Sequence, residues 1–152
     1  MKRLPAALEN HTGTYALILR LNRDRAVSIG RLDSIDFPAG FYIYIGSAFG
    51  PGGLRTRLGR HISKRKRSRW RIDYLRRFAE LVEIWYTLHP EKAECRWAEV
   101  IRQTRHTRIP CPGFGASDCR CGTHLFHFES KPGLKTFRRK VKMPVRLKGM
   151  QS

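Results

Sequence analysis

The chain has 152 residues, 41% of them hydrophobic, and carries 31 Lys and Arg against 12 Asp and Glu, a formal charge of +19 with pI ≈ 10.9. That length supports one domain around one core, and the charge exceeds what solubility requires, so a polyanionic partner is expected through counterion release and field steering. No apolar run approaches the roughly 18 residues of a membrane span and no apolar leader follows Met1, so the expectation is a cytoplasmic protein, not a membrane protein, whose four cysteines are reduced.

Residues Tyr15 to Leu21 alternate, with Tyr15, Leu17, Leu19 and Leu21 on one face, and predict a strand onto which Ala26 to Gly30 folds back as a hairpin. After the break at Phe37-Pro38-Ala39-Gly40, Phe41, Ile43 and Ile45 share one strand face and Tyr42 and Tyr44 the other, with Gly46 permitting a sharp exit. The loop Phe49 to Gly53 leads into a helix from about Leu54 to Ile62, whose buried stripe is Leu54, Leu58 and Ile62. Arg57 and His61 lie about 60° from that stripe, at the rim of the buried face.

A second helix follows from Ile72, Leu75, Phe78, Ala79 and Val82, blending into a strand-like stretch from Leu81 to Leu88. Pro90 is expected at the first position of a third helix through about Arg105, with Ala93, Trp97, Val100 and Ile101 as its core line. On that helix Glu94 lies about 75° from the centre of the stripe and can face a cleft, whereas Glu99, about 215° around, faces water. An acid in the first helical turn is also favoured by the dipole alone. Cys111 to Gly122 reads as loop and Thr123 to Phe128 as a short strand. From Lys131 onward there are eight basic residues and no acid, with Pro132 and Pro144 interrupting any period, so the chain divides into a domain over 1–130 and a mobile basic tail over 131–152.

Several of these segments carry a family resemblance. Gly13-Thr14-Tyr15 and Tyr44-Ile45-Gly46 resemble the two signature triplets of the GIY-YIG endonucleases, with Arg57, His61 and Glu94 where that family places an arginine, often a histidine, and a metal-binding glutamate. The fuller resemblance is to the Uri-type branch, the DUF123 domain, sometimes fused to endonuclease III-like glycosylases. It is carried by Phe37-Pro38-Ala39-Gly40, Gly46-Ser47-Ala48, Gly50-Pro51-Gly52-Gly53-Leu54, Trp70-Arg71-Ile72-Asp73-Tyr74-Leu75, Glu94-Cys95 and Gly113-Phe114-Gly115-Ala116-Ser117-Asp118-Cys119. The chain departs from the pattern twice. Twenty-eight residues separate Tyr15 from Tyr44 where about ten are usual, so an extra hairpin is inserted, and Arg71 stands where many relatives carry His.

The resemblance implies an α+β fold with a small, mainly antiparallel sheet flanked by helices, and a metal-dependent endonuclease acting on DNA, with RNA as the second polyanion. It assigns proton transfer from water to Tyr15 or Tyr44, with His61 as partner or acceptor, the scissile phosphate to Arg57, and Mg²⁺ or Mn²⁺ to Glu94. A functional link to a DNA glycosylase follows from the fusions. The rival class is a basic nucleic-acid-binding module that keeps the fold without cleavage.

Two further groupings stand apart from the triplets. The loop from Cys111 to Gly122 is expected to pack against the domain with its thiols buried as small apolar groups; the alternative is that Cys111, Cys119, Cys121 and His124 surround Zn²⁺, although their spacing matches no familiar finger. A third possibility is that Ser117, Asp118 and His124 line the cleft. Nucleic-acid contact is expected from Lys64, Arg65, Lys66, Arg67 and Arg69, and from Arg138, Arg139 and Lys140, as salt-sensitive phosphate binding with little sequence preference.

Overall fold

In the computed structural model, residues 4, 5, 8, 10–29, 34–63, 70–115 and 122–150 are described. The elements run in the order β1 (Gly13–Leu21), β2 (Arg25–Ser28), β3 (Ser34–Phe37), β4 (Gly40–Ala48), α1 (Gly53–Ile62), α2 (Arg71–Arg76), β5 (Glu80–Thr87), α3 (Glu94–Arg102), β6 (Leu125–Phe128), α4 (Leu134–Val141) and β7 (Arg146–Gly149). Five strands form one antiparallel sheet in the order β6-β4-β1-β5-β7, while β2 and β3 make a separate two-stranded ribbon. The fold is thus α+β, as expected.

The period-2 pattern of the strands sorts the core into two layers. Tyr15, Leu17 and Leu19 of β1 join Tyr42 of β4 and Ile84 of β5 on one face, which Leu54 and Leu58 of α1 and Ile72 and Leu75 of α2 cover. On the opposite face, Ala16, Ile18, Ile43, Ile45 and Trp85 meet Trp97 and Ile101 of α3 and Phe137 and Val141 of α4. β1 is buried on both faces over nearly all its length.

Its two edges are taken by β4 and β5, so the expected hairpin between β1 and the segment after it does not form. The segment over 25–28 pairs instead with β3, and this ribbon is the insertion that lengthens the connection from β1 to β4. α3 also starts later than Pro90. The Ala93 N–H donates to the Thr14 hydroxyl at 3.2 Å and the His89 ring accepts from the Glu91 N–H at 3.1 Å, which holds 89–93 as a turn rather than a first helical turn.

The basic segment from Lys131 is not a mobile tail among its described residues. Leu134, Phe137 and Val141 are one helical stripe, Phe137 and Val141 are buried, and β7 pairs with β5 along Glu83↔Gly149 to Tyr86↔Arg146. The prolines bound α4 instead of breaking it: Pro132 precedes its N-cap Gly133, and Pro144 follows the left-handed cap residue Lys142. High charge density masked a three-residue apolar stripe. Phe137 packs on Trp85 and Trp97 with ring centroids 5.1 and 4.9 Å away, so Phe137→Ala is expected to cost about 3–5 kcal/mol. Chemical denaturation checks this, and an unchanged midpoint contradicts it.

Candidate active-site cleft

At the Gly46 end of β4 the two layers meet in a cleft of about 460 Å³, lined among others by Tyr44, Ser47, Arg57, Trp70, Arg71 and Glu94. The register Tyr15↔Gly46 and Leu17↔Tyr44 puts both triplets on adjacent strands, with their tyrosines facing α1. Neither triplet glycine can carry a side chain. A Cβ on Gly13 would fall on the Thr87 carbonyl and on Leu54, and one on Gly46 would fall on the Tyr15 hydroxyl and ring. The Tyr15 ring crosses the space left by Gly46.

Beyond Gly46 the Tyr15 hydroxyl meets Nε2 of His61 at 2.7 Å. His61 sits in the last turn of α1, 1% exposed, with the Tyr15, Tyr44 and Trp70 rings around it. The end of α1 is fixed by Arg76 of α2, which donates to the carbonyls of His61 at 2.9 Å and Ile62 at 3.1 Å, taking up the acceptors a helix end leaves open. Arg57 lies one turn earlier. Its guanidinium stands 4.5 Å from the centre of the Trp70 ring and makes no ion pair among the described residues.

Glu94 arrives from the other layer. The Ser47 hydroxyl donates to its Oε1, and Oε2 lies 3.3 Å from Nδ1 of His124, whose side chain is 3% exposed. Burial pushes the Glu94 carboxyl up, but hydrogen bonds from His124 and Ser47, with the charges of His124 and Arg57, outweigh it and leave the group below its usual value. Burial drives the phenols of Tyr15 and Tyr44 well above theirs, each raised further by its acidic neighbours and lowered only in part by Arg57. At neutral pH the cleft therefore holds an ionised carboxylate and the neutral phenol of Tyr44, with the neutral phenol of Tyr15 behind it.

Of the residues singled out in the sequence, Tyr44, Arg57 and Glu94 line this cleft and Tyr15 with His61 stands immediately behind it. Arg138, Arg139 and Lys140 are not brought there, because α4 packs on the α3 side of the sheet. Lys64, Arg65, Lys66, Arg67, Arg69, Cys119, Cys121, Ser117 and Asp118 lie outside the described residues. Among the described residues no group of three metal-capable side chains assembles, and of the two described members of the zinc grouping, Cys111 and His124, the latter has its Nδ1 3.3 Å from Glu94. Cys95 is disulfide-bonded, so the expectation of four reduced thiols fails.

Sequence reasoning missed the supports of the site. Ser47 stood in a quoted motif without a role, yet its parity with Ile43 and Ile45 aims it at the α3 layer. Thr14, between the glycine and tyrosine of the first triplet, anchors the start of α3 through Ala93. Asp73, with 0% side-chain exposure, accepts from Arg60 at 2.8 Å and from the Trp70 N–H at 2.9 Å, which places the indole at the cleft wall.

Fold and cleft together define a three-layer α+β domain with one oriented carboxylate facing an unneutralised arginine. A family model described as Domain of unknown function DUF123 matches residues 14–145, from β1 through α4, and the chain belongs to that family. No curated protein and no solved structure matches. No described helix is long and apolar enough to cross a membrane.

The raised phenols give a pH signature. The unfolded chain loses its tyrosine protons near 10.0 while the folded state keeps those of Tyr15 and Tyr44, so their contribution is full below 10.0 and is lost as pH rises toward the folded value. Between about pH 9 and 11, stability of the parent is expected to fall more steeply than that of Tyr44→Phe, measured by denaturant midpoint; parallel curves contradict the assignment.

Proposed function

We propose that this protein is a metal-dependent endonuclease of the GIY-YIG type that hydrolyses phosphodiester bonds of DNA. The observation that carries the proposal is convergence: a phenol, a guanidinium and a single carboxylate from β4, α1 and α3 line one cleft. Hydrolysis needs a water aligned with the leaving oxygen, a proton acceptor for it, and positive charge at the non-bridging oxygens. Arg57 is free of ion pairs among the described residues and presents two donors to a phosphate in the fork geometry guanidinium favours. Its stacking on Trp70 limits the orientations it samples before substrate arrives.

Proton transfer falls to the Tyr15–His61 pair. A phenol held neutral is a poor base alone, but its oxygen can accept a proton from the attacking water while its own proton passes along the 2.7 Å hydrogen bond to His61 Nε2. Tyr44, neutral and facing the cleft, holds the water as a hydrogen-bond partner. Glu94 suits Mg²⁺ or Mn²⁺: it is ionised, held in one orientation by Ser47 with His124 beside it, and the one carboxylate lining the cleft among the described residues, which fits a hard cation that keeps most of its water. Such an ion, when bound, supplies charge neutralisation for the developing phosphorane and leaving oxygen.

The rival, a nucleic-acid-binding module without cleavage, draws support from the same two contacts, because the Ser47 hydroxyl already engages one Glu94 oxygen and the His124 ring lies 3.3 Å from the other. Plasmid nicking separates the two. Arg57→Ala and Glu94→Gln are each expected to slow divalent-dependent nicking by about 10²–10³-fold with retention on DNA at low salt nearly unchanged. Equal rates in both variants and parent, or no nicking with Mg²⁺ or Mn²⁺ on duplex, flap or single-stranded substrates, sink the proposal.

A further inference from the structure

One buried acid takes no part in the hydrolysis proposed for the cleft. Asp73, in the first turn of α2, is 1% exposed, and its side chain is fully covered. Its Oδ2 accepts from the Arg60 guanidinium at 2.8 Å and from the Trp70 N–H at 2.9 Å. Capping alone accounts for the second contact, since an acid at the third position of a helix reaches back to the residue before the first. The first contact brings in a cation that the cap does not need.

That cation shares a ring with Arg57. Arg57 and Arg60 are three residues apart on α1, so they lie on one side of the helix. Both stand over the Trp70 indole, with guanidinium carbons 4.5 and 4.6 Å from the ring centre. Ring contact therefore does not tell the two apart, and the acid does. Arg60 is paired with Asp73, whereas Arg57 has no ion pair among the described residues and lines the cleft beside Trp70. Attraction to a buried carboxylate at 2.8 Å exceeds the pull of an aromatic face, so Arg60 is committed and Arg57 is not.

We propose that Asp73 is a positioning residue for the cleft: by pairing with Arg60 and holding the Trp70 backbone, it leaves Arg57, of the two described guanidiniums on that ring, as the one offered to a substrate phosphate. The proposal rests on the reading of Arg57 as the phosphate ligand. Without the Asp73 charge, Arg60 competes, and a phosphate is captured part of the time about one helical turn away from Arg57. Binding then survives while productive alignment is diluted.

Two measurements test it. In the first, inorganic phosphate is titrated into isotope-labelled parent protein and the arginine Nε–H signals are followed by NMR. The Arg57 signal is expected to move and the Arg60 signal to stay; equal movement of both, movement of Arg60 alone, or no movement of either overturns the proposal. The titration needs neither cleavage nor a variant. In the second, Asp73→Asn keeps an oxygen for both hydrogen bonds and removes only the charge. Its kcat on plasmid DNA with Mg²⁺ is expected to fall by about tenfold with KM unchanged or lower, and its Arg60 signal now responds to phosphate.

Rescue separates positioning from a damaged fold. Arg60→Gln added to Asp73→Asn removes the competing cation, so kcat and the response of Arg57 to phosphate are expected to return toward the parent. A raised KM at unchanged kcat, parent-like kinetics in Asp73→Asn, or no recovery in the double variant overturns the proposal. A parent protein that nicks no substrate sinks the nuclease reading instead, and the phosphate titration then decides the role of Asp73 by itself.

Discussion

The molecule depends on the side-chain alternation of two paired strands. In β1, Thr14 points toward α3 and Tyr15 toward α1; in β4, Gly46 leaves room for Tyr15 and Ser47 points back toward α3. Neighbouring residues therefore serve opposite layers. Tyr15 reaches across Gly46 to His61, and Thr14 with Ser47 fixes the start of α3 and the carboxylate of Glu94. A slip of one residue in the pairing would exchange the faces of all four, so the register that buries the core is the same register that assembles the cleft.

Charge completes what the register begins. If every acid in the chain neutralised one base, 31 − 12 = 19 Lys or Arg would still lack a partner. The scarce carboxylates are spent selectively: Asp73 is buried against Arg60 and the Trp70 backbone, and Glu83 takes Lys131. Arg57 is held by an aromatic face instead of an acid, so its charge stays available to a polyanion. Cation–π contact positions a guanidinium without neutralising it.

Much of this was legible in the sequence, and the illegible parts share a cause. α1, β4 and the distinction between Glu94 and Glu99 came from periodicity alone, and Glu99 does face outward, with its side chain 54% exposed. Local pattern cannot choose partners, however. The turn after β1 looked like a hairpin because a nearby segment could pair, whereas the central position of β1 is decided by β4 and β5, distant in sequence. α4 was hidden by the opposite effect, a short apolar stripe inside a run of bases whose prolines read as breaks and act as ends. His124 was weighed as a zinc ligand because sequence puts it near cysteines, while the fold puts it against Glu94. Ser47 and Thr14 carried no signal beyond parity, since their partners are 47 and 79 residues away.

The central claim is that Glu94 is presented, oriented and charged, into the gap beside Gly46, Ser47 and Arg57. Paramagnetic broadening by added Mn²⁺ reads this directly and does not require a substrate. The account predicts that the amides of Gly46, Ser47 and Cys95 broaden first in the parent and stay sharp at the same Mn²⁺ concentration in Glu94→Gln. Broadening that begins elsewhere, or that is the same in the variant, would contradict it.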